Sequence, residues 1–180
     1  MGHSEHRKGL NLKQLLDGVR TQKRGRYVHA LFSLAAGLVS GAAVRLLDMY
    51  TTNLGNVFSE LSVWILLCTA IAVFSPNPRL AAAKVFLFCA GMLATYYLTA
   101  ELTGGVYSMS FVCGWAVIAV ISPFAAYAAW YARGHGAVAN VLSVGIIAVM
   151  ILGELLLFDK LRITDIIWAV LCAIALFYRR

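Results

Sequence analysis

The residues of this chain whose types and positions could do chemistry are Arg45, Glu60, Trp64, Tyr97, Glu101, Tyr107, Trp115 and Glu154. Carboxylates, one guanidinium and aromatic rings, set into a very apolar sequence, suit binding better than bond breaking. The charges fix polar groups of a ligand, and the rings pack against its apolar or cationic part. Glu154, in "GIIAVMILGELLLFD", lies about one turn inside an apolar helix, where a charge is costly and faces the bundle interior or a wet cavity. Glu60 is more than a turn deep if its helix starts at Leu54, and only a rim residue if the helix starts at Leu61. Trp64 follows Glu60 by one turn and shares its face. Glu101 sits in "ATYYLTAELTGGVYSMSF" one turn above Tyr97. It is either an interfacial acid within an aromatic belt or the rim of a cavity. Arg45 either snorkels to headgroups or pairs with Glu154, Glu101 or Glu60. The sharper reading is an outward-facing pocket with Glu101 at its rim, Glu154 deeper, Arg45 balancing charge, and Trp64, Tyr97, Tyr107 and Trp115 as walls.

Enzyme signatures are absent. There is no HExxH, GxSxG or Walker A pattern. His3, His6, His29 and His135 do not pair at ligand spacing, and Cys68, Cys89, Cys113 and Cys172 form no CxxC and read as small buried hydrophobes. No catalytic residue, metal or cofactor is expected.

The elements that must hold such a site follow from composition. Of 180 residues, 61% are hydrophobic and 13% charged, against about 25% charged in a soluble domain. Apolar runs long enough for a bilayer core recur along the chain, and strand-like alternation does not. The sequence predicts an all-α integral membrane bundle of six helices: 27–47, 54–74, 80–100, 107–131, 137–158 and 163–178. "SPNPR" at 75–79 and "RGHG" at 133–136 read as turns.

Lysine and arginine set the orientation. With the N-terminus inside, twelve of the fifteen fall on the inner side, and only Arg45, Lys160 and Arg162 fall outside. Six of the eight acids take the outer half. The net charge of +7 is thus accounted for without nucleic acid. The expectation is an inner-membrane protein of a bacterium with both termini cytoplasmic. Residues 1–26 form a basic cytoplasmic segment and 27–180 the transmembrane domain. Within the former, "LNLKQLLDGVR" puts Leu12, Leu15, Leu16 and Val19 on one face, as in a helix lying on the inner membrane surface.

The first helix repeats small residues. Ser33, Gly37 and Gly41 form one row, and Ala36 and Ser40 a second. Such rows allow close helix approach, inside the bundle or with a partner such as a coupling subunit or a second copy. Six spans, inward termini, an outer polar pocket and this first helix resemble the substrate-binding S components of energy-coupling-factor vitamin transporters. That resemblance implies that Ser33, Ala36, Gly37, Ser40 and Gly41 meet a coupling subunit. "ATYYLTAELTGG" is also similar to uncharacterised bacterial multipass families of this size. The function expected is binding of a small polar or aromatic solute from outside, alone or within a transporter. The alternative is a structural or accessory membrane protein without a ligand.

Overall fold

The computed structural model describes residues 10–51, 60–159 and 161–178, with side chains from Gly25 onward except those of Arg26, Leu157 and Phe158. These residues form six helices: α1 Leu10–Tyr50, α2 Leu61–Val73, α3 Pro78–Leu102, α4 Met109–Ala132, α5 Ala137–Phe158 and α6 Ile163–Phe177. Among the described residues there is no strand. Four stretches are long and apolar enough to cross a membrane: Tyr27–Tyr50 of α1, α3, α4, and Ala137–Leu156 of α5.

Two expectations change. The sequence reading separated a surface helix at 10–20 from a first span at 27, but the backbone runs as one helix of 41 residues. No proline interrupts it, and the lone Gly25 costs only about 1 kcal/mol. Its apolar face at Leu12, Leu15, Leu16 and Val19 lies outside the described side chains. The second helix is short, with 13 residues starting at Leu61, and α6 has 15. At 1.5 Å per residue both fall short of a hydrocarbon core of about 30 Å. Extended backbone at Glu60 (φ −69°, ψ 136°) starts α2 at Leu61. The prolines of "SPNPR" limit its other end, where Asn77 caps α3 by accepting the Leu80 N–H at 2.8 Å. The possible start at Leu54 lies outside the described residues.

Short turns join α2 through α6 into antiparallel neighbours. α2 is the hub and touches α3, α4, α5 and α6, while α1 packs along α3. Two apolar cores flank α2. Trp64 and Ala72 face Phe88, Met92 and Ala126; Val73 faces Met150, Cys172 and Leu176. On α4, Pro123 cannot bond the Ala119 carbonyl, and the Ser122 hydroxyl donates to that oxygen instead at 2.8 Å. Outward faces are rich in apolar residues, among them Phe32, Val39, Phe124, Val141, Leu156 and Ile163.

Small residues set the α1–α3 spacing. A methyl group on Gly37 would strike the Phe88 backbone, and one on Gly41 the Met92 backbone. Ser33 donates to the Lys84 carbonyl at 2.8 Å, and Thr95 to the Leu38 carbonyl at 2.8 Å. The row Ser33, Gly37, Gly41 is therefore used inside the chain. Ala36 packs half-buried on the first core, and Ser40 is half-buried.

Candidate functional site

The predicted site residues separate into two groups at the same end of the bundle. The first lies on α1, α3 and the turn after α3. That turn closes with a Schellman motif: the Gly105 N–H bonds the Ala100 carbonyl at 2.8 Å, and the Gly104 N–H bonds Glu101 at 3.2 Å. Gly104 has φ +64°, which glycine adopts freely. At Gly105 the Arg45 guanidinium occupies the place where a side chain would begin. Glu101 is exposed and accepts the Tyr107 hydroxyl at 2.7 Å. That bond, more than the slight desolvation, pushes the Tyr107 phenol up from 10.0. Tyr96, Tyr97 and Tyr107 form a chain of ring contacts at 5.3 and 5.1 Å.

Arg45 pairs with Asp48 at 3.1 Å, one helical turn away on its own helix. The pairing expected with Glu154, Glu101 or Glu60 is thereby corrected. Asp48 is in local reach of the guanidinium, and each of the three glutamates has another polar partner.

The second group gathers where α2, α5 and α6 meet. Glu154 is buried, and its Oε1 accepts the Ser62 N–H at 2.6 Å. Ser62 is in the first turn of α2, where N–H groups lack helical partners, and no side chain of α2 caps it. Glu154 thus caps α2 from α5, with its charge at the positive end of the helix dipole. Beside Glu154, the tip of the Leu61 side chain packs over Gly153, 2.8 Å from where a methyl would be.

Glu60 departs from both sequence readings. The helix begins at Leu61, yet Glu60 is only 3% exposed. It is covered by the start of α6, where Arg162 and Thr164 each donate to its Oε1 at 3.1 Å. The Arg162 backbone N–H in turn donates to Asp165 Oδ2 at 2.8 Å. Burial, the largest influence, pushes the Glu60 carboxyl above 4.5, and Asp165 adds to it, while the bonds from Thr164 and Arg162 pull it down. Trp64 lies one turn below with its ring 6.4 Å from that of Phe88. Trp115 is half-buried against the same core.

Sequence reasoning missed Ser62, Arg162, Thr164 and Asp165. The local signal was "RITD", an acid three residues after a helix start, which is a capping pattern. It also read each cysteine as isolated, whereas Cys68 and Cys89 bring their sulfurs to 3.5 Å.

The far end of α2 mirrors the near one. Arg133 donates to the Val73 and Ser75 carbonyls at 2.9 and 3.1 Å and stacks over Trp130 at 4.3 Å. Trp130 Nε1 also donates to Ser75, at 2.9 Å. An open concavity of about 440 Å³ lies there, lined by Trp130, Tyr131, Arg133, Gly134 and His135. It is at the end opposite to the predicted site residues. Among the described residues no group of three or more His, Cys, Asp or Glu side chains is arranged to hold a metal ion.

No curated protein and no solved structure matches this chain. A family profile does match, over residues 20–178, and the chain belongs to that family, described as a family of unknown function (DUF6518).

Proposed function

We propose that this is a multipass membrane protein that binds a small polar solute where α2, α5 and α6 meet. The membrane reading is supported by the four long apolar helices and by apolar residues spread over the outer faces, where a soluble monomer exposes only limited patches. The two short helices complete the six spans, α2 shielded by its neighbours. The lysine and arginine bias supports cytoplasmic termini in a bacterial inner membrane. One observation carries the binding site: Glu60 and Asp165 are both buried, and each has one carboxylate oxygen without a hydrogen-bond partner among the described residues. A buried acceptor left bare is costly, and a ligand donor removes that cost.

In this reading Glu60, Asp165 and Arg162 contact the solute, and Glu154 positions α2. Arg45, Tyr97, Glu101 and Tyr107 form a separate outer rim. The coupling-subunit contact implied by the transporter resemblance gains no support at Ser33, Gly37 and Gly41, which are spent on α3. A second reading, an accessory membrane protein without a ligand, is favoured by the capping duties of Glu154 and Asp165.

Two experiments test this. In a variant lacking native cysteines, Asn77→Cys should resist a membrane-impermeant maleimide added to intact cells, and Gly104→Cys should react. The reverse pattern sinks the topology. Mass spectrometry of the purified, denatured protein should find a released small polar solute that Glu60→Gln no longer retains. Equal retention, or no solute at all, favours the accessory reading.

A further inference from the structure

Five buried side-chain polar atoms of the described residues lack a hydrogen-bond partner; Arg45 Nε and Trp168 Nε1 are two, and the other three lie on two helix ends that touch. Glu60 Oε2, Ser62 Oγ and Asp165 Oδ1 have no partner there, and these residues are 3%, 0% and 2% exposed. Glu60 and Ser62 start α2, Asp165 is in the first turn of α6, and the two helices pack together. Both carboxylates are held by one residue. Arg162 binds Glu60 through Oε1 with its guanidinium and Asp165 through Oδ2 with its backbone N–H. The other oxygen of each is left bare.

Charge counting points the same way. Glu60, Glu154 and Asp165 bring three negative charges to this corner, and Arg162 brings one positive charge. The N-termini of α2 and α6 add about half a positive charge each. About one negative charge is left over in a buried place, where an uncompensated charge is strongly disfavoured. Among the described residues, the cation paired with these carboxylates is Arg162. α4 carries none, Arg79 and Lys84 are at the opposite end of α3, and Arg45 is paired with Asp48.

We propose that the bare oxygens of Glu60 and Asp165, with the Ser62 hydroxyl, bind one monovalent cation, either a sodium-class ion or a proton. A hard cation prefers oxygen ligands of this kind. A divalent ion would overshoot the charge, and two carboxylates fall short of a multi-ligand metal set, in keeping with the lack of one among the described residues. The burial that raises the Glu60 carboxyl acts in the same direction. A group with a raised carboxyl keeps its proton in the folded state at a pH where the unfolded chain has lost it. Stability then falls as pH rises from 4.5 through the folded value.

The inference rests on reading this corner as a binding site, and its test is separate. The melting temperature of the purified protein in nanodiscs is measured in sodium, potassium and choline chloride at equal ionic strength, from about pH 8 down to about pH 5. A rise of several degrees in sodium over choline identifies an alkali ion. A rise on acidification that ignores the salt identifies a proton. Glu60→Gln should abolish either response, and Asp48→Asn, in the exposed Arg45 pair, should keep it. If Glu60→Gln does not fold, Asp165→Asn is read instead. A wild-type protein indifferent to sodium, potassium and pH overturns the proposal. So does a response that survives in both Glu60→Gln and Asp165→Asn. A solute recovered without any cation or pH response sinks this inference alone. A cation response without a recovered solute upholds it and removes the solute.

Discussion

Glu154 accepts the backbone N–H of Ser62 at 2.6 Å, so the first turn of α2 is capped by a side chain 92 residues further along. Truncating it leaves a buried N–H without an acceptor, at a cost of about 1–3 kcal/mol. Glu154→Ala should lower the melting temperature markedly. Glu154→Gln keeps an acceptor and should cost less, and Asp159→Asn, on an exposed residue, should do little. Equal effects of Glu154→Ala and Asp159→Asn would remove the capping role. A double-mutant cycle between Arg45 and Glu154 should be additive, because each has a different partner.

Glycines divide by what faces them. Gly37 has the Phe88 backbone where a methyl would go, and backbone cannot move aside as a side-chain tip can. Gly37→Ala should destabilise by about 1–3 kcal/mol. Gly145 has open space on α5, and Gly145→Ala should gain about 0.5–1 kcal/mol from helix propensity. Thermal melting of both variants checks this, and a Gly37→Ala as stable as wild type would contradict the close α1–α3 contact.

The Tyr107 hydroxyl donates to Glu101, so the folded protein holds that phenolic proton longer than the unfolded chain does. Its contribution is complete below the ordinary value of 10.0 and is lost as pH rises through the higher folded value. In an ultraviolet titration, Glu101→Gln should shift the ionisation of one tyrosine to lower pH. An unchanged curve would argue against the bond.

Cys68 and Cys89 need only a small approach from 3.5 Å to reach disulfide distance. Molecular iodine, which enters apolar phases, should join them. Two S–H bonds break, one S–S bond forms, and iodine leaves as iodide with two protons. The product should be an intramolecular link that loses two hydrogens in mass, with Cys113 and Cys172 still open to alkylation after denaturation. Cys68→Ser should prevent it. A link involving Cys113 instead would contradict the packing of α2 on α3.

The legible part of the sequence was the part written locally. Apolar length located every helix, and "SPNPR", "GG" and "RGHG" located the turns. The small row Ser33, Gly37, Gly41 announced a close approach, although only the fold shows that α3 is what approaches. Less legible were relations between distant segments. Glu60 is separated from Arg162 by 102 residues, so spacing along one helix could not reveal their pairing, and the start at Leu61 wrongly suggested a rim position. Arg45 invited a long-range partner on grounds of cost, but Asp48, three residues away, was the nearer solution. Pattern also could not distinguish a long span from the short α2, because its burial depends on four neighbouring helices.

The remote cap on α2 also has a consequence in time. A ribosome adding about 5–20 residues per second delivers Glu154 roughly five to twenty seconds after Ser62. During that interval the first turn of α2 must borrow hydrogen bonds from water or lipid headgroups. The central helix of the bundle is therefore provisional during synthesis, and it is secured only when the penultimate helix arrives. Arg133, which closes the other end of α2, comes earlier in the chain, so the hub is fastened from its far end first. A nascent chain stopped just before Glu154 should have that far end protected from hydrogen exchange and its first turn still open.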